Sequence, residues 1–145
     1  MISRRIISAA SAVVILLTST FVHSCRVVPD NDKLDAQWQL LTITDAAGNE
    51  TTPDPRTYFS FYRSVAQVTQ YAGGRITANL ALGDSLSMQF PYAAAAQLRS
   101  FYLPVPADVA ADTKGLTVKF YVNQLSDDKL VMTTKDSEVY TFRRY

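Results

Sequence analysis

Apolar and polar residues alternate with a period of two along Leu116 to Leu125. Leu116, Val118, Phe120 and Val122 stand against Thr117, Lys119, Tyr121 and Asn123. Successive side chains of a strand point to opposite faces, so this pattern suits a strand with one face buried. It cannot line up on one side of a helix, whose faces recur every 3.6 residues. The pattern returns in Arg75 to Leu82, where Ile76, Ala78, Leu80 and Leu82 oppose Arg75, Thr77, Asn79 and Ala81.

Shorter versions fill most of the remaining chain. A first strand is expected over Leu34 to Ile43, with Trp38, Leu40 and Thr42 on one face and Gln37, Gln39 and Leu41 on the other. Asp45 to Pro55 reads as a loop, in which Gly48-Asn49 suggests a turn and two prolines block a ladder. Thr57 to Phe61 and Val65 to Tyr71 follow as strands two and three, separated only by Tyr62-Arg63-Ser64. That junction has no glycine, and one long bent strand is the alternative. Gly73-Gly74 is a stronger hairpin signal, because glycine accepts positive φ without a Cβ clash. Strand four is Arg75 to Leu82, Gly83-Asp84 supplies a two-residue turn, and Ser85 to Phe90 is strand five.

Pro91 to Gly115 breaks the rhythm. Ala93 to Ala96 begins a short helix reaching about Phe101, and Leu103-Pro104-Val105-Pro106 is extended because proline restricts its predecessor. A connection this long inside a compact domain is usually functional or disordered, and the cluster Phe101, Tyr102 and Leu103 argues against disorder. The segment is expected to pack across one end of the β structure. Strands six, seven and eight are Leu116 to Leu125, Lys129 to Thr134 and Glu138 to Tyr145.

Eight short strands with tight turns predict an all-β, antiparallel up-and-down meander with one long irregular insertion. Left open, it would expose two edges; closed, eight strands make a barrel wide enough for side chains or one small ligand. Strand one then pairs with strand eight.

The first residues carry an address. Met1 to Arg5 is basic, Ile6 to Val22 is an uncharged apolar run of 17 residues, and Ser24-Cys25 follows. These are the parts of an export signal. A membrane span is the rival, but the run is short for one and diluted by Ser and Thr. Val22-His23-Ser24-Cys25 resembles the lipobox of bacterial lipoproteins, with His23 unusual at its position. The resemblance implies residues 1–24 as signal peptide, acylation of Cys25, residues 25–33 as a tether and 34–145 as the folded domain. Several acyl chains hold a protein on a membrane durably where one does not. The other possibility is an ordinary secretory signal that leaves a free thiol.

Removal of residues 1–24 takes Lys+Arg from 14 to 12 against 13 acids, and it removes the single His. Near-neutral charge without a basic aromatic patch excludes nucleic acid as a partner. Without His or a free Cys, the Ser-His and Cys-His nucleophile systems and the imidazole or thiolate metal sites are missing. Asp45, Asp84, Asp127, Asp128 and Asp136 sit where turns want acids, Gly73-Gly74 lacks the Lys of a phosphate loop, and no calcium-loop spacing surrounds Asp127-Asp128. The expectation is a non-enzyme with no cofactor and no metal.

Ala36-Gln37-Trp38 near the start and Tyr140-Thr-Phe-Arg-Arg-Tyr145 at the end bring a family into view. Lipocalins begin with a Gly-x-Trp strand and end with a basic residue over that Trp. The chain resembles the small lipocalin-like lipoproteins of Bacteroidetes from about Leu34 to Tyr145, with Ala36 in the glycine's place. The resemblance implies barrel closure by Trp38 and Arg144, whose position shares parity with Tyr140 and Phe142. The alternative is a core Trp38 with both arginines solvated.

The resemblance further implies a lipid-anchored binding protein that takes a small apolar or amphipathic ligand, with Phe101, Tyr102 and Leu103 as candidate lid. Tyr58, Tyr62, Tyr71, Tyr92, Tyr102 and Tyr121 are candidates for a barrel mouth or a partner surface. The competing reading is a rigid interaction module of an outer-membrane protein complex with a filled core. The expected location is the bacterial cell envelope, on the outer membrane facing the periplasm, with cell-surface exposure as the alternative.

Overall fold

The alternating stretches become strands in the computed structural model, which describes residues 31–145. The signal segment, Cys25 and most of the tether lie outside the described residues. A helical turn, α1 (Asn31–Leu34), leads into β1 (Gln37–Thr44), β2 (Glu50–Thr51), β3 (Thr57–Tyr62), β4 (Val65–Gln70), β5 (Arg75–Leu82) and β6 (Leu86–Phe90). A short helix, α2 (Ala95–Ser100), precedes β7 (Leu116–Leu125), β8 (Lys129–Thr133) and β9 (Val139–Arg144).

Each long strand pairs antiparallel with its neighbour in the chain, and β1 pairs with β9 to close the ring. The result is the expected eight-strand meander barrel, β1 and β3 to β9, with β2 as a two-residue addition on the end of β1.

Several local expectations change. Leu34 sits in the helical turn, not in the first strand, because its carbonyl accepts the Trp38 indole N–H at 2.9 Å while its side chain is buried beneath the barrel. The expected loop after β1 contains a ladder, since Glu50 and Thr51 precede both prolines and their amides are free to pair. Tyr62-Arg63-Ser64 is a true hairpin junction: Tyr62 pairs with Val65, and Arg63 takes the left-handed φ of 54° that glycine would usually supply. At the next hairpin the left-handed residue is Ala72, with φ 54°, and neither Gly73 nor Gly74 is left-handed. Leu82 pairs with Leu86, so the β5–β6 turn has three residues where two were expected.

A bulge alters the inward face of β1. Leu40 pairs with Phe142 and Thr42 with Thr141, so Leu41 is the extra residue. Parity reverses beyond it. Ile43, paired with Tyr140, takes the inward place expected for Thr42. A second bulge between Val122 and Gln124 in β7 likewise turns Leu125 inward, opposite Leu130.

The interior is filled. Phe59 on β3 meets Phe142 at 5.0 Å between ring centroids and Phe120, from the far side of the ring, at 6.4 Å. Phe120 in turn meets Tyr140 at 5.0 Å. Side chains from opposite walls that touch leave no central channel. Met88, Met132, Leu86 and Leu130 complete this core, each such burial stabilising by about 1.5–3 kcal/mol.

Candidate functional site

The two ends of the barrel differ. At the closed end, Trp38 is fully buried and pairs with Arg144, whose guanidinium carbon lies 6.0 Å from the indole centroid. Arg144 is itself exposed and also reaches the Asp127 carbonyl at 3.3 Å. A solvated cation at that distance is worth about 0.5–1 kcal/mol, so the closure rests mainly on the packed indole and its bond to Leu34. Arg143 faces the outside, where its Nε donates to the Gln39 side-chain oxygen at 2.9 Å.

At the open end, the connection from β6 to β7 crosses the mouth. Helix α2 has no side-chain cap; the Ala95 and Ala96 amides donate to the Thr113 and Ala111 carbonyls instead. The helix ends in a Schellman motif. The Leu103 amide reaches the Leu98 carbonyl, the Tyr102 amide reaches that of Arg99, and Tyr102 occupies the left-handed position with φ 65°. That turn sends neighbouring side chains opposite ways. Phe101 and Leu103 go down into the barrel and are buried. The Tyr102 hydroxyl goes outward, accepting from the Asp54 amide at 3.1 Å and donating to the Asp54 carbonyl at 2.9 Å.

Further bonds pin this strap. Gln70 Nε2 donates to the Ser100 carbonyl at 2.8 Å, and the Tyr140 hydroxyl donates to that of Tyr102 at 2.6 Å. The Arg99 guanidinium holds the Pro106 and Val109 carbonyls, both at 2.7 Å. Burial, and secondarily the Glu138 carboxylate, pushes the Tyr140 phenol well above its ordinary range, so it stays a neutral donor.

Between the strap, β7 and the β8–β9 turn lies a cavity of about 500 Å³. Ile43, Leu103, Val105, Val118 and Tyr140 are its apolar lining, and Thr51, Thr117 and Thr134 line it as well. Arg99, Lys119, Lys135, Asp136 and Glu138 add charge of both signs. Its volume is that of a small-molecule site. Of the candidate lid, Tyr102 and Leu103 line the cavity, whereas Phe101 lies below it as part of the core. Tyr121 lines the cavity too. Tyr71 and Tyr92 are exposed near the mouth, Tyr62 is exposed at the opposite end, and Tyr58 is covered on the outside wall by Tyr145. Of the acids noted in the sequence, two brace their turns: the Asp45 carboxylate accepts from Ala47 and Asn49, and that of Asp128 from the Ser126 hydroxyl, whereas Asp136 lines the cavity. Among the described residues no three His, Cys, Asp or Glu side chains gather to hold a metal ion.

A closed antiparallel up-and-down barrel of eight strands with a cavity at one mouth is the architecture of the lipocalin-like class. The lipocalin-like domain model matches residues 16–145, and the chain belongs to that family. Among solved structures it is similar to a lipocalin-like protein from Bacteroides uniformis ATCC 8492, with 21% identity and a TM-score of 0.61 over 78% of this chain and 99% of that one. It is also similar to an uncharacterized protein from Bacteroides eggerthii DSM 20697, at 16% identity and a TM-score of 0.55 over 77% of this chain and 99% of the other. At these identities the likeness is one of fold. No curated protein matches the chain.

Proposed function

We propose that this protein is a non-enzymatic, lipid-anchored binding protein of the bacterial cell envelope, taking a small amphipathic ligand at the mouth of its barrel. The observation that carries the reading is the cavity of about 500 Å³ lined by both apolar and charged residues. An apolar ligand body fits against Leu103, Val105, Ile43 and Tyr140, and its polar group lies toward Lys119, Lys135 and Glu138. With the interior filled, the ligand of this reading lies beneath the strap and not in a central calyx. Acylation at Cys25 would hold the domain on the outer membrane, facing the periplasm, as the sequence around that cysteine suggests.

Native mass spectrometry of the protein isolated from its own host tests this. A bound mass of a few hundred daltons is expected in the natural chain and lost in Val105→Trp, whose indole occupies the cavity. A natural chain that is always ligand-free, and that gains no thermal stability from lysophospholipids or fatty acids, defeats the reading. Its competitor, a rigid interaction module, draws on the same filled core; capture of a stoichiometric envelope protein by a ligand-free barrel would favour it.

A further inference from the structure

The closed end carries an exposed apolar tip. In the β3–β4 hairpin, Tyr62 is 63% and Val65 44% exposed, and the two are cross-strand partners. Between them Arg63 holds its left-handed turn, its amide fixed by the Asp35 carboxylate at 3.1 Å and its guanidinium 5.3 Å from the Tyr62 ring centroid. A tyrosine, a valine and an arginine on one rigid turn match the region between lipid headgroups and acyl chains. Tyrosine is favoured at that depth, and guanidinium pairs with phosphate.

The chain itself says what covers this tip. Helix α1 packs against β3, and the Phe61 amide donates to the Ala36 carbonyl at 3.0 Å, so the polypeptide reaches the barrel beside this hairpin. Only Arg26 to Asp30 separate Cys25 from Asn31. A chain that short reaches about 21 Å when fully extended. The strands are long enough to carry the mouth about 20 Å beyond the closed end. An acylated Cys25 therefore brings the closed end to the bilayer far more readily than the mouth.

Charge selects the side. Asp84 lies in the β5–β6 turn and Asp127 and Asp128 in the β7–β8 turn of the same end. In the ring order the β7–β8 turn stands opposite the β3–β4 hairpin. A barrel tilted onto the hairpin keeps those carboxylates away from lipid phosphates, and the Asp35 carboxylate beside the tip is engaged by the Arg63 amide.

We infer that the Tyr62–Val65 hairpin is a second membrane contact, pressed into the bilayer that carries the anchor, so that the ligand cavity opens away from that membrane. The inference rests on the proposed acylation of Cys25. It is tested with the full-length protein from a host that acylates lipoproteins, reconstituted into phosphatidylethanolamine vesicles containing phosphatidylcholine brominated near the glycerol end of its chains. Tyr62→Trp and Val65→Trp place an indole at the tip, Tyr92→Trp places one at the mouth, and buried Trp38 is common to all three. The expected result is emission from both tip variants quenched by about a third or more and shifted to the blue, as for indoles at a membrane interface, with the mouth variant unchanged. Protein that floats with the vesicles but shows no quenching at the tip, or equal quenching at the mouth, overturns the inference and leaves the anchor standing. Protein that does not float with the vesicles overturns both.

Discussion

The Tyr140 phenol donates a 2.6 Å hydrogen bond to the Tyr102 carbonyl, joining the inward face of the last strand to the strap over the mouth. Tyr140 is also a wall of the cavity. One hydroxyl thus ties barrel closure to the geometry of the site.

Tyr140→Phe removes that donor and keeps the ring packed against Phe120. The expected cost is about 1–2 kcal/mol at neutral pH, from the lost bond and the unpaired carbonyl. The pH dependence has a definite sign. The folded-state pKa lies above the ordinary value of 10.0, so the stabilisation is complete below pH 10. Above it the unfolded chain loses the proton while the folded chain keeps it, and stability falls by up to about 1.4 kcal/mol per pH unit. Urea titrations at pH 7 and pH 10.5 should show the natural protein losing more stability between the two than the Phe variant does.

Tyr102 separates two effects at one position. Tyr102→Phe keeps the left-handed backbone and loses both bonds to Asp54, at an expected cost of about 0.5–1.5 kcal/mol. Exchange of the Asp54 amide should accelerate, because its acceptor is gone, while amides in the centre of β7 stay protected. Tyr102→Gly relaxes the φ of 65°, offsetting part of the same loss. A Phe variant with unchanged Asp54 exchange would mean that this clamp does not hold the strap.

The barrel was legible because its strands announce themselves one at a time. The alternation in Arg75 to Leu82 and Leu116 to Val122 names the inward residues correctly, and the expected pairing of first and last strands is the observed β1–β9 ladder. Residues that break local rules were not legible. Arg63, Ala72, Tyr102 and Ser137 all adopt left-handed φ without being glycine, held there by hairpin pairing and turn and helix-end bonds that no residue type at these positions announces. The cavity was only half visible. Tyr102 and Leu103 stood out as an aromatic and apolar cluster, but Ile43 and Val118 on two strands and Glu138 in the β8–β9 turn join them only after the ring closes. No local pattern records such a meeting.

Trp38 and Arg144 should contribute unequally. Trp38→Ala removes a fully buried indole and is expected to cost about 3–5 kcal/mol, since the core cannot collapse around so large a void. Arg144→Ala is expected to cost less than about 1 kcal/mol, because the guanidinium is solvated and at the outer range of the ring. Denaturant midpoints of the two variants measure the ratio. Equal losses would show that the cation, and not the packed ring, shuts the closed end.

The bulge at Leu41 makes the sharpest contrast between pattern and structure. Strict alternation from Trp38 and Leu40 puts Thr42 inside, whereas the observed ladder puts Ile43 opposite Tyr140 and lining the cavity. Ile43→Ala should therefore destabilise by about 1–2.5 kcal/mol, at the low end for a large-to-small change because the site is only partly buried. It should also enlarge the cavity and weaken any ligand held there. Thr42→Ala, by the same register, should stay within about 0.5 kcal/mol. Deleting Leu41 removes the extra residue, so that Leu40–Phe142, Thr42–Thr141 and Ile43–Tyr140 pair as one unbroken ladder with Trp38 still beside Arg144 and Thr44 beside Val139, at the cost of the local bend the bulge gives β1. A deletion variant as stable as the natural chain would mean that the bulge is incidental; a loss larger than that of Ile43→Ala would mean that the extra residue sets how the ring closes.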